Sequence, residues 1–197
     1  MTVRELVEKS RSYRGLRKDR KVTKEELLAL AECARLCPST GNIQPLKYYL
    51  AWETEEVAEI QSLSRWAKGL PEMRLPHPGM EPAAFIVICQ DTRIDPASGK
   101  FQRDVGITAQ TILLAAAERG LGGCMIGSFP SGDLKNRLRL PDWAVPMLLV
   151  AIGEPAETVI LTQVGEDGGT GYYRDEEDRH YVPKRRLEEV TLDKFSL

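Results

Sequence analysis

The chain has 197 residues, of which 42% are hydrophobic and 28% charged, which suits one globular domain, spanning 1–197, with a large core. A net charge of −2 gives no electrostatic reason to bind nucleic acid or an anionic membrane surface. The longest apolar runs are too short to span a bilayer, so no membrane association is expected.

The first residues, MTVRELVEKSRSYR, are charged from the fourth position and lack the apolar core of a secretion signal. The four cysteines (Cys33, Cys37, Cys89 and Cys124) show no disulfide-framework spacing and suit a reducing cytosol. A cytoplasmic protein is therefore expected.

In chain order, Thr2 and Glu5 form a capping box that starts a short helix ending near Ser10. The next stretch, 10–21, is dense in Arg and Lys, and such a run is by default a solvated connector. Within it, however, Arg11, Ser12 and Arg14 combine two guanidinium forks with a hydroxyl, the donors that a phosphate monoester needs. A second capping box, Thr23 with Glu26, opens an amphipathic helix that runs to about Leu36.

PSTGNIQPLKYYLAW follows as a polar turn leading into a strand. An Asx or ST turn accounts for 39–42, but not for Gln44 or for prolines on both sides. The hydroxyls of Ser39 and Thr40 and the amides of Asn42 and Gln44 offer donors and acceptors suited to the edge of a flavin or purine. A helix is expected from Thr54 to about Lys68, with Val57, Ile60 and Leu63 facing inward. The loop beyond it is too rich in proline for regular structure, and its His77 reads as a solvated residue. Residues 83–89, AAFIVIC, form a buried strand.

The stretch 104–128, DVGITAQTILLAAAERGLGGCMIGS, organises the rest of the chain. No charge occurs between 105 and 117, and apolar residues fall on every face of the helical period, so a fully buried helix is expected. Asp104 is its expected N-cap and Gly120 its C′ residue. Then comes a short Gly-rich strand, where a second backbone or a flat ligand can approach closely. A small helix is expected at 132–140 and a buried strand at 147–152. From Leu161 onward the chain reads as charged and irregular, with a hairpin turn at 166–169 and a second basic cluster at Lys184, Arg185 and Arg186.

No GxGxxG follows a strand and no P-loop occurs, so Rossmann and Walker readings have no support. With two histidines and no ligand spacing, no metal site is expected. No acid, base or nucleophile constellation can be assembled, so no catalytic side chain is expected either. Cys33 and Cys37, at the end of a helix, could form a redox pair, but small buried thiols are the commoner outcome.

SRSYRGL at 10–16, ARLCPSTGNIQPLKYYL at 34–50, the central stretch at 104–129 and VPKRRLEEV at 182–190 together resemble the FMN-dependent nitroreductase family. The resemblance implies an α+β fold in which helices flank a mixed central sheet. It also implies a homodimer formed through the buried helix, with two shared FMN sites. The implied reaction is ping-pong hydride transfer from NADH or NADPH through the flavin to a small-molecule acceptor such as a nitroaromatic or a quinone.

By position, Arg11, Ser12 and Arg14 resemble the phosphate and ribityl contacts, and Lys184 and Arg185 the basic residues that complete them. Ser39, Thr40, Asn42 and Gln44 resemble the loop that the other subunit lays over the flavin. Met125, Ile126, Gly127 and Ser128 resemble the strand whose backbone faces the flavin ring. Two departures stand out: Ser10 replaces a further Arg, and Leu46 replaces a frequent Trp. Because a fold does not settle function, two alternatives stay open: a specialised flavoenzyme on the same fold, and a flavin-binding module without turnover.

Overall fold

Two capping boxes form as the spacing requires. Thr2 Oγ accepts from Glu5 N–H and Glu5 accepts from Thr2 N–H at the start of α1 (Val3–Lys9). Thr23 and Glu26 repeat the exchange at α2 (Lys24–Arg35), which buries Leu27, Leu30 and Ala34. The computed structural model describes residues 1–67, 70, 73–97 and 99–192. Two compact units are distinguished, one of Met1–Trp66 with Leu75–Ala156, the other of Ala67–Arg74 with Glu157–Leu197.

In the first unit a four-stranded sheet runs in the order β1 (Leu46–Ala51), β2 (Ala84–Asp91), β4 (Ala144–Gly153), β3 (Gly122–Ile126), every neighbour antiparallel. The two continuous apolar runs of the sequence take the central places because both of their faces are covered. Ile86, Ile88, Val150 and Ile152 join Leu30 of α2 and Ile112 of α4 (Gln102–Glu118) in one cluster. The alternate residues Phe85, Val87, Leu149 and Ala151 join Ile60 of α3 (Thr54–Leu63) and Leu134 of α5 (Ser131–Arg137) in another. The strand period of two thus sorts each strand's side chains onto two helical layers.

Several expected boundaries shift. α3 stops at Leu63, where Ser64 turns extended; Lys68, the expected end, lies outside the described residues. α5 is shorter than 132–140, because Leu138 closes it and Arg139 takes a φ of 50°. Gly120 does hold the left-handed C′ conformation, with a φ of 76°.

α4 departs from expectation twice. Asp104 is not its N-cap: the helix begins after Phe101, and Asp104 lies buried inside the first turn. Nor is the helix buried all round, since Gly106, Ile107 and Gln110 form an exposed stripe at i, i+1 and i+4. The unbroken apolar pattern was real, but two helical layers leave one face of this helix uncovered by its own chain.

In the second unit, the supposedly irregular tail holds a sheet of its own, ordered β5 (Val159–Gln163), β7 (His180–Lys184), β6 (Tyr173–Arg174). β5 and β7 run parallel and β6 and β7 antiparallel, so this sheet is mixed. A turn does form one residue earlier than expected, at 165–168, with the Gly168 N–H bonded to Gly165 O, but it does not close a hairpin. The hairpin joins β6 to β7 instead. Charge hid these strands, because their charges are paired: Arg174 is 2% exposed and bonded to an equally buried Glu157, with Asp178 at 3.0 Å. The rings of Tyr173 and Tyr181 stack 5.0 Å apart on neighbouring strands.

Candidate functional site

Residues 11–14 are fixed by backbone. Ser12 forms an isolated parallel bridge with Gly123, and Tyr13 N–H donates to Gly123 O at 2.9 Å. β3 is the edge strand, so this segment takes up the start of its free side. Of the two glycines that open β3, Gly122 makes that approach possible and Gly123 lets β3 lie close against β4. A Cβ on Gly122 would stand 2.6 Å from the Tyr13 ring, and one on Gly123 would stand 1.7 Å from Ala151 O. The close approach expected of this Gly-rich strand is therefore made, at those two positions, by the chain itself rather than by a ligand. Further along, Gly127 is exposed and a Cβ there would meet Leu148 only at 3.9 Å.

The bridge brings Arg11, Ser12 and Arg14 to the strand that carries Met125 and Ile126. Arg11 Nη2 donates to Val7 O, while Arg11 Nε is buried with no protein partner. Arg14 is half-buried and its Nη1 donates to Ser12 O at 3.3 Å. Ile126 is 4% exposed and its side chain belongs to the core, so only its backbone can serve a ligand. Ser128 O is taken by Arg65 N–H at 2.9 Å.

The loop 39–44 is fixed differently, by one carboxylate. Asp104 Oδ2 accepts from Ser39 Oγ at 2.6 Å and from Thr40 N–H at 2.9 Å, and Oδ1 accepts from Thr40 Oγ1 at 2.6 Å. Ser39 Oγ in turn accepts from Gln44 N–H at 3.0 Å. Burial pushes the Asp104 carboxyl upward, but the bonds from Ser39 and Thr40 outweigh it and hold its pKa below the ordinary value. The hydroxyl protons of Ser39 and Thr40 are thus committed inside the protein. Asn42 and Gln44 remain exposed, and Gln44 Nε2 reaches Asn42 Oδ1 at 3.0 Å.

The second basic cluster belongs to the second unit. Lys184 ends β7, and its carbonyl accepts from Val164 N–H at 3.0 Å. Arg185 is exposed, with Glu189 at 3.4 Å. A cavity of about 480 Å³ lies elsewhere in the first unit, against Trp52, Val57 and Gln61, and includes none of the expected site residues.

A family model described as the nitroreductase family matches residues 7–154, which run from the last residues of α1 through β4 and include both fixed segments. The chain belongs to the nitroreductase family. A protein of Methanothermobacter thermautotrophicus, provisionally named NADH dehydrogenase/NAD(P)H nitroreductase, is 28% identical over 161 residues, covering 80% of this chain and 79% of its own. The crystal structure of an NADH oxidase, also provisionally named, from Clostridium acetobutylicum aligns with a TM-score of 0.68. It is 21% identical and covers 96% of this chain and 99% of its own. An FMN-dependent nitroreductase from Clostridium difficile aligns with a TM-score of 0.63 at 22% identity, over 77% of this chain and 87% of its own.

Membership places the chain among oxidoreductases and in the α+β nitroreductase fold. Its own side chains suit a protein that binds and orients. No disulfide joins the four cysteines, and burial raises the Cys89 thiol to about 12, far from a reactive thiolate. His180 is 1% exposed and packed edge-on against Tyr172 at 5.3 Å. No group of metal-ligating side chains occurs among the described residues, and none of the described helices is long and apolar enough to cross a membrane. Sequence reasoning missed the work of Asp104 because its partners lie 64 and 65 residues away.

Proposed function

We propose that this protein is an FMN-dependent NAD(P)H oxidoreductase that works as a homodimer on small acceptors such as nitroaromatics or quinones. The observation that carries the reading is the Ser12–Gly123 bridge, which sets two guanidinium groups and a hydroxyl beside the strand that leads to residues 125–128. The residues present fit the cofactor. Arg11 keeps a buried Nε donor without a protein partner, and Asn42 and Gln44 hold exposed amides.

Arg11, Ser12 and Arg14 would hold the phosphate, because delocalised fixed cations match a phosphate dianion, and Lys184 and Arg185 offer the same anion-binding chemistry on the second unit. Ser39, Thr40, Asn42 and Gln44 would hold the cofactor from the loop; Asn42 and Gln44 would contribute side chains, whereas the hydroxyls of Ser39 and Thr40 answer first to Asp104. The backbone of Met125, Ile126, Gly127 and Ser128 would line the ring. When bound, FMN would supply the two-electron chemistry between NADH or NADPH and the acceptor. The protein then binds, orients and excludes water, with no acid, base or nucleophile of its own required. The exposed α4 stripe at Gly106, Ile107 and Gln110 supports dimerisation there, since it leaves an apolar residue 41% exposed within the largely buried stretch 104–117.

The purified protein should show the absorbance of oxidised flavin and bleach on adding NADH or NADPH without oxygen. A flavin that stays oxidised with both donors would favour a binding module over an enzyme. No flavin, bound or bindable, would end the proposal.

A further inference from the structure

We infer that Asp104 is a positioning residue. From the first turn of α4 it holds residues 39–44 in the conformation that displays the Asn42 and Gln44 amides, an inference whose ligand half rests on the flavin reading above.

The loop needs an external hold. Gly41, Asn42 and Gln44 have φ values of 58°, 55° and 54°, in the left-handed region that residues with a Cβ disfavour. Such backbone persists where the surroundings over-determine it. The loop's own bonds, Asn42 N–H to Ser39 O at 2.8 Å and Ile43 N–H to Thr40 O at 3.1 Å, span one short turn. The longer reach comes from Asp104, which receives three donors from Ser39 and Thr40, and from Ser39 Oγ, which passes the hold on to Gln44 N–H.

Helix stability alone does not explain this carboxylate. An acidic residue in a first turn favours the helix dipole, and an exposed side chain serves that purpose as well. Asp104 is instead 2% exposed, and burying a charge is unfavourable unless donors replace the lost water. Beside its own backbone amide, three donors from Ser39 and Thr40 of the loop replace that water. Asp104 also lies within one turn of Gly106 and Ile107 on the exposed stripe of α4. The position of the loop is therefore keyed to the helix that the dimer proposal uses.

The test has two arms. In protein freed of flavin, Asp104→Ala should raise hydrogen exchange at the amides of Asn42, Ile43 and Gln44 at least tenfold, leaving β2 and β4 unchanged. Should that variant not fold, Ser39→Ala removes the relay to Gln44 N–H and should give the same local increase. In the second arm, FMN affinity is followed by flavin fluorescence. Asn42→Gly removes the amide while keeping a left-handed φ accessible. It should weaken FMN several-fold in the wild-type background and less than twofold in Asp104→Ala, because a loop already released has no amide to lose. Loop exchange at the wild-type rate in the folded variants overturns the inference, as does a full Asn42→Gly penalty in the Asp104→Ala background. A wild-type protein that binds no FMN overturns the flavin reading alone, and the exchange arm still decides the hold.

Discussion

Residues 11–14 and 39–44 are the two polar segments that stand out in the sequence, and they are held in opposite ways. The first is held by main chain: a bridge to Gly123 and a bond from Tyr13 N–H to Gly123 O. The second is held by a single side chain, Asp104, through three hydrogen bonds. A backbone hold tolerates most changes in side chains and is insensitive to acid, but it demands bare glycine at the point of approach. A carboxylate hold demands no glycine, yet fails on one substitution, at Asp104 or at Ser39, or on protonation.

The most damaging way to break the contrast is Gly123→Ala. Its Cβ would sit 1.7 Å from the Ala151 carbonyl, backbone that cannot step aside without parting β3 from β4. Overpacking usually costs about 1–3 kcal/mol, and an overlap with main chain should reach the top of that range or pass it. We expect Tm to fall by roughly 6–12 °C or more, or the soluble protein to be lost. Normal Tm and activity would show that β3 need not be so close.

Next in size is Arg14→Ala. Charge-assisted hydrogen bonds contribute about 1.5–3 kcal/mol, so titration should show FMN bound about tenfold or more weakly with Tm little changed. Unchanged affinity would remove Arg14 from the phosphate site.

Acid should separate the two holds. The folded pKa of Asp104 lies below its unfolded value, about 3.9 for an ordinary Asp. Its contribution is therefore complete above that value and is lost as pH falls through the lower folded one. Exchange at Asn42 and Gln44, corrected for the intrinsic rate, should stay flat down to about pH 4 and rise below it, before the Tyr13 amide responds. Both segments opening together would erase the distinction.

If the two segments serve one flavin from different subunits, Arg14→Ala and Asn42→Gly should complement each other. A mixed dimer isolated with two tags carries one site with both defects and one intact site, so about half the normal activity per dimer should return. No recovery above either single variant would put both residues in one subunit's site. The smallest effect is expected away from both segments, where separate Ala variants of His77, Cys33 and Cys37 should keep most activity. A thousandfold loss in any one would reveal a catalytic side chain outside this account.

What the sequence determined by itself was local or periodic. Both capping boxes, Gly120 as a C′ residue, the cores of β2 and β4 and the end of α4 follow from interactions within a few residues, so their spacing is written along the chain. The family was legible for a related reason, since four short motifs keep their order whatever packs between them. Tertiary structure alone decided the rest. Asp104 looks like a helix cap until Ser39 and Thr40 arrive from 65 and 64 residues away. Gly122 and Gly123 look open to a ligand until Tyr13 and Ala151 take the space. The tail looks irregular until Arg174 meets Glu157 in a buried pair. In each case the free energy comes from burying a group against a partner distant in sequence, and no local pattern records which partner that will be.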